Sequence, residues 1–113
     1  MKLLLENIKD EEEYYVYSLK FSRTTKKVIR KIIPQKAKFK KKKDWSDGFI
    51  RGSFHNMKGK FLGDTWYVHF EIFDNLEEAK EDWNKTVQNT IDQVTSEYEK
   101  LVRTIESIKY GNI

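Results

Sequence analysis

Residues 11–22, EEEYYVYSLKFS, alternate so that Tyr15, Tyr17, Leu19 and Phe21 share one face. Tyr14, Val16, Ser18 and Lys20 share the other, and a period of two over this length predicts a strand. Ser22-Arg23-Thr24-Thr25 can turn the chain back. KKVIRKIIPQ, residues 26–35, fits a short helix or a strand, and Pro34 ends either one. The need for a hairpin partner and the β-branching of Val28, Ile29, Ile32 and Ile33 favour a strand. KAKFKKKK, residues 36–43, reads as extended or looped, and Asp47-Gly48 is a turn signal. GFIRGSFH, residues 48–55, is the next strand, and NMKGKFLGD, residues 56–64, reads as a loop. TWYVHFEIF, residues 65–73, alternates most strongly: Trp66, Val68, Phe70 and Ile72 one way, Thr65, Tyr67, His69 and Glu71 the other.

The period then changes. Asn75 and Glu78 have capping-box spacing, and Glu77, Glu78, Glu81 and Asp82 sit where a helix dipole favours acids. No Gly or Pro interrupts the chain from there to Lys109. Val87, Ile91, Val94, Tyr98, Leu101, Ile105 and Ile108 step by four and three, a heptad seam. The pattern predicts a single α+β domain over residues 1–113. Its antiparallel sheet has about four strands in meander order over residues 14–73, and one long C-terminal helix, residues 75–109, packs on one face. Such a helix runs about 52 Å, against about 30 Å for a nine-residue strand. Its distal seam, with Tyr98, Leu101, Ile105 and Ile108, therefore either meets a protein partner or second copy, or closes on the N-terminal leucines.

Net charge is only +4, but it is unevenly spread. No acid lies between Tyr14 and Lys43, where Lys20, Arg23, Lys26, Lys27, Arg30, Lys31, Lys36, Lys38 and Lys40 to Lys43 stand. Acids collect at Asp10 to Glu13 and again at the helix start. The chain contains no Cys, which removes thiol chemistry and points to a cytoplasmic protein. No apolar run approaches a membrane span, and MKLLLEN is too short for a signal-peptide core.

Chemistry has few carriers. His55 and His69 are the two histidines, and no nucleophile elbow, phosphate loop or HExxH motif occurs. His69 and Glu71 share a strand face, but spacing supplies no third metal ligand. Neither catalysis nor a cofactor is expected. If the apolar faces turn toward the helix, Tyr67, Phe49, Arg51 and His55 face outward beside the lysine run. Phosphate contacts are then assigned to Lys36, Lys38, Lys40, Lys41, Lys42, Lys43 and Arg51, and base stacking to Phe39, Trp45, Phe49 and Tyr67. This pattern describes a non-enzymatic basic protein that binds a polyanion, nucleic acid or a nucleoprotein, without strong sequence specificity. The alternative is a protein–protein inhibitor or adaptor of phage or mobile-element type, acting through the basic surface and the long helix. A third reading has the neighbouring segment of residues 22–43 cover the outer sheet face, burying the aromatics and leaving only a solvated lysine run.

Gly48-Phe49-Ile50 and Trp66-Tyr67-Val68-His69-Phe70 locally resemble the paired strands of cold-shock domains. The resemblance spans about a third of the chain. Asp47 stands where that family has an aromatic, the intervening loop is longer, and a helix follows where barrel strands are due.

Overall fold

The structure is a computed structural model that describes residues 1–42 and 50–110. In chain order it has β1 (Lys2–Leu3), β2 (Glu13–Ser22), β3 (Lys27–Lys41), β4 (Gly52–Asn56), β5 (Phe61–Asp64), β6 (Glu71–Phe73) and α1 (Leu76–Tyr110). The strands form one antiparallel sheet in the order β1-β6-β2-β3-β4-β5. The fold is therefore α+β, with six strands rather than about four. β2 to β5 form a meander, and β6, part of the segment expected as its last strand, returns instead to the opposite side of β2. Residues 27–33 are strand, and so are the first lysines of the run, because β3 continues to Lys41.

Two further readings change. Residues 61–64 pair with β4 instead of looping, through a turn in which Gly59 takes φ 86°, a left-handed conformation that suits glycine. Residues 65–70 do not extend as a strand. They turn at Thr65–Tyr67 and cross toward β6, so the strand is confined to Glu71–Phe73. The resemblance to a cold-shock strand pair ends there, since Trp66 to Phe70 form no strand and Gly48 and Phe49 lie outside the described residues.

Both faces of the sheet centre are buried. On one, Val16, Ala37, Phe39, Phe54, Phe70 and Ile72 form the larger core with Ile8. Phe54 lies 5.2 Å from Phe39 and 4.9 Å from Phe70, ring centre to ring centre. Leu3 and Leu5 from the N-terminal segment and Val68 from the crossover close this face. On the other face Tyr17, Phe73 and Ala79 are buried, with Tyr15 and Trp83 against them. Tyr17 stacks on Phe73 at 6.2 Å and meets the edge of Trp83 at 5.3 Å, and its hydroxyl bonds Asp82.

The assignment of Tyr15 and Tyr17 to the helix side holds, but that of Trp66, Val68, Phe70 and Ile72 is reversed. Val16 opposes Ile72 and Tyr15 opposes Phe73, and directly opposed residues share a face. Ile72 therefore enters the larger core, and Phe73 lies toward the helix. Trp66, read as core, is exposed because the chain turns there. A covering segment for the second face does exist, but it is the N-terminal stretch and the crossover, not residues 22–43.

Asn75 caps α1, its Oδ1 accepting the N–H groups of Glu77 (2.7 Å) and Glu78 (3.3 Å). The chain divides into two compact units, Met1–Trp83 and Asn84 onward, with the helix continuous through the boundary. The first helical turns belong to the sheet unit.

Phe39 was assigned to base stacking, and it is 0 % exposed. The alternation that turns Lys38 and Lys40 outward turns Phe39 into the core, against Phe54. Phe39→Ala should cost about 3–5 kcal/mol of stability, whereas Phe61→Ala, at an exposed ring, should change it by about 0.5 kcal/mol or less. Urea denaturation of the two variants checks this, and equal losses would contradict the facing of β3.

Candidate nucleic-acid interface

Because Ala37 and Phe39 point into the core, the side chains of Lys36, Lys38 and Lys40 project from the opposite face. Lys38 opposes His55 and Lys40 opposes Ser53 on β4, while His55 opposes Phe61 and Ser53 opposes Asp64 on β5. This β3–β5 face is open: Phe61 is 57 % exposed. Lys40 lies between two shallow depressions, one lined also by Lys42, Ser53 and Phe61, the other by Lys38, His55 and Met57. Ser53 Oγ and His55 Nε2 are 2.9 Å apart, and Phe61 meets the imidazole edge-on at 5.5 Å, so the ring is held from two sides.

At the Lys42 end, Arg51 Nε donates to Asp64 Oδ1 at 3.2 Å. The same guanidinium lies 5.5 Å from the Trp66 ring and 5.8 Å from the Tyr67 ring, within cation–π range. Asp64 also accepts the Trp66 N–H at 2.8 Å. Burial pushes its carboxyl up, but the Trp66 N–H, the Arg51 hydrogen bond and the Arg51 and Lys42 charges outweigh this. The carboxyl therefore sits below its ordinary range. Asp64 thus fixes Arg51 and the turn that displays Trp66 and Tyr67, the latter 72 % exposed.

The acid-free stretch of sequence is not acid-free in space. Glu13 opposes Lys38 across the β2–β3 ladder, which brings the Asp10–Glu13 cluster alongside the lysines. Lys36 Nζ meets Glu13 at 3.0 Å, and the hydrogen bond, followed by the carboxylate charge, raises the lysine pKa. Lys38 Nζ is 3.9 Å from Glu11, and Asp10 accepts the Lys41 N–H at 2.8 Å. Lys40 and Lys42 have no ion pair among the described residues.

Of the assigned residues, the fold gathers Lys38, Lys40, Lys42 and Arg51 on one face, with Tyr67 beside Arg51. Lys36 lies farther along it, opposite Tyr15, and Lys41 alternates to the other side. Lys43, Trp45 and Phe49 lie outside the described residues. Phe61, Ser53 and Trp66 were missed as members. Phe61 was legible only through Gly59, whose turn makes KFLGD the return strand of a hairpin. On the distal helix Tyr98, Leu101 and Ile105 are exposed, and for Ile108 only the helical backbone is described.

The second histidine serves a different contact. His69 Nε2 and Lys2 Nζ take the two oxygens of Glu71 at 2.9 and 2.6 Å. Burial raises the Glu71 carboxyl, and hydrogen bonds from Lys2 and His69 with their charges bring it below its usual value. Among the described residues no three His, Asp or Glu side chains converge as a metal site would require. No helix there is long and apolar enough to cross a membrane. No family model, curated protein or solved structure matched the chain.

Asp64 links this geometry to pH. A carboxyl whose folded pKa is depressed contributes stability above its unfolded pKa, and that contribution is lost as pH falls through the folded pKa. Asp64→Asn should therefore lower Tm at neutral pH, with the gap to wild type narrowing below about pH 4. Melting curves across pH check this, and a gap independent of pH would remove Asp64 from the role.

Proposed function

We propose that the protein binds nucleic acid through the open β3–β5 face, acting as a binding module rather than an enzyme. The observation that carries this reading is the gathering of Lys38, Lys40, Lys42 and Arg51 around exposed rings on one sheet surface. Ammonium groups beside a strand of phosphates release condensed counterions. Phe61, Tyr67 and Trp66 offer faces and edges to unpaired bases, and each stack is worth about 1–3 kcal/mol. Lysines act as point charges, so the contact reads the backbone more than the base sequence. The neighbouring acids temper the charge: Lys36 and Lys38 must exchange Glu13 and Glu11 for phosphate, which leaves Lys40 and Lys42 as the stronger anchors.

A filter-binding titration of a single-stranded oligonucleotide at several salt concentrations tests this reading. Affinity should fall as salt rises, and the combined variant Lys38→Ala, Lys40→Ala, Lys42→Ala should flatten the log–log slope by about 2. Phe61→Ala should weaken binding by about 1–3 kcal/mol without altering that slope. No binding at low salt, or binding indifferent to salt, would sink the proposal.

A second reading has its own observation. Ile91, Tyr98, Leu101 and Ile105 are all exposed along a seam of heptad spacing, the pattern by which helices pair. In this reading the distal helix joins a second copy or another protein, the docking element of an adaptor. Light scattering should then give a mass above the monomer for wild type and the monomer mass for Leu101→Glu, Ile105→Glu. A monomeric wild type would remove the self-pairing form of this reading.

A further inference from the structure

The β2–β3 hairpin is longer than the sheet that holds it. β2 pairs with β6 only at Tyr15 to Tyr17, and β3 pairs with β4 only at Ala37 to Lys41. From Ser18 to Gln35 the two strands pair only with each other among the described residues, with rungs from Ser18–Ile32 to Ser22–Lys27. The root of this arm is clasped by the crossover: Ser18 Oγ donates to the His69 carbonyl at 2.7 Å and Arg30 to the Tyr67 carbonyl at 3.4 Å. Its tip is closed by local bonds, since the Ser22 carbonyl accepts the Lys26 N–H at 2.9 Å and Ser22 Oγ accepts the Thr25 N–H at 3.2 Å.

The arm has no acid and six bases: Lys20, Arg23, Lys26, Lys27, Arg30 and Lys31. Unlike the lysines beside Glu11 and Glu13, these lie on the part of the ladder that has left the acid cluster behind. Apolar side chains stand among them in the open, with Val28 54 %, Ile29 57 % and Ile33 54 % exposed. A bare strand edge invites another strand, but a second arm would set cation against cation, and edge lysines discourage such pairing. The composition suits an occupant that presents anions on both sides and apolar groups between them.

We infer that this arm is a two-stranded ribbon that enters the major groove of double-helical DNA, a second contact surface that goes beyond the sheet-face reading. Strands about 4.8 Å apart with side chains to either side match a B-form major groove about 12 Å wide, which admits such a ribbon. Arm bases on both edges then reach phosphates of both groove walls. Val28 and Ile29 lie at the floor, where thymine methyl groups are the apolar feature. The major groove of A-form RNA is narrow and deep, so the same ribbon does not enter it.

Fluorescence anisotropy tests this with three probes of one sequence: a DNA duplex two turns long, the RNA duplex, and the single DNA strand. Wild type should bind the DNA duplex more tightly than the RNA duplex. Arg23→Glu, Lys27→Glu, at exposed positions, should lose about tenfold or more on the DNA duplex and much less on the single strand. Replacing thymine by deoxyuridine in the duplex should weaken wild type and leave Val28→Ser, Ile29→Ser unaffected. RNA duplex bound as tightly as DNA duplex, or equal losses by the charge-reversed variant on duplex and single strand, would overturn the ribbon and leave the sheet-face reading standing. Single-strand binding that is absent while arm-dependent duplex binding persists would do the reverse.

Discussion

Strand β2 is buried from both sides, and the rest of the first unit is arranged around that constraint. Val16 is sealed in one core and Tyr17, next to it in sequence, in another. A strand with two apolar faces needs two covers. One is the first turns of α1, through Ala79 and Trp83; the other is the N-terminal segment with the crossover, through Leu5, Ile8, Val68 and Phe70. Because the α1 cover reaches only β6 and β2, while the crossover cover extends over Phe39 and Phe54, the β3–β5 half keeps one face in water. The open surface is thus a consequence of where the covering elements were placed.

The same ladder controls the electrostatics. Antiparallel pairing sets Glu13 across from Lys38, so the Asp10–Glu13 cluster is folded back on a run of opposite charge. Exposed ion pairs of this kind add little stability, but they decide which lysines carry uncompensated charge. Along the β2–β3 arm the Asp10–Glu13 cluster is left behind, and at the Lys42 end Asp64 is the acid alongside. Bases outnumber acids in those two places, although the sequence spreads bases across the whole interval. Asp64 works differently: one carboxylate orients Arg51 and the Trp66 turn together, placing a fixed cation between two rings.

The distal helix obeys a separate constraint. A helix of its length outside a packed core gains little from propensity alone in water, and the exposed apolar seam is the chemistry by which such helices are stabilised. The seam and the basic sheet face belong to different units, so the two functional readings concern separate parts of the chain.

Local periodicity determined the α+β class, the β2–β3 hairpin and the boundaries of α1, because alternation and heptad spacing are written in neighbouring residues. The lysine run and Arg51 could be singled out for the same reason. Facing and order were decided only in three dimensions. Trp66 to Phe70 alternate as well as any strand, yet Asp64 captures the Trp66 N–H and turns the chain there. Phe39 looks like a ring among cations, yet the register with Phe54 draws it inside. Phe61 joins the site only because β5 pairs with β4. A side chain's face depends on its partner strand, and that partner lies far away along the sequence; charge sign is local, but the company a charge keeps is tertiary.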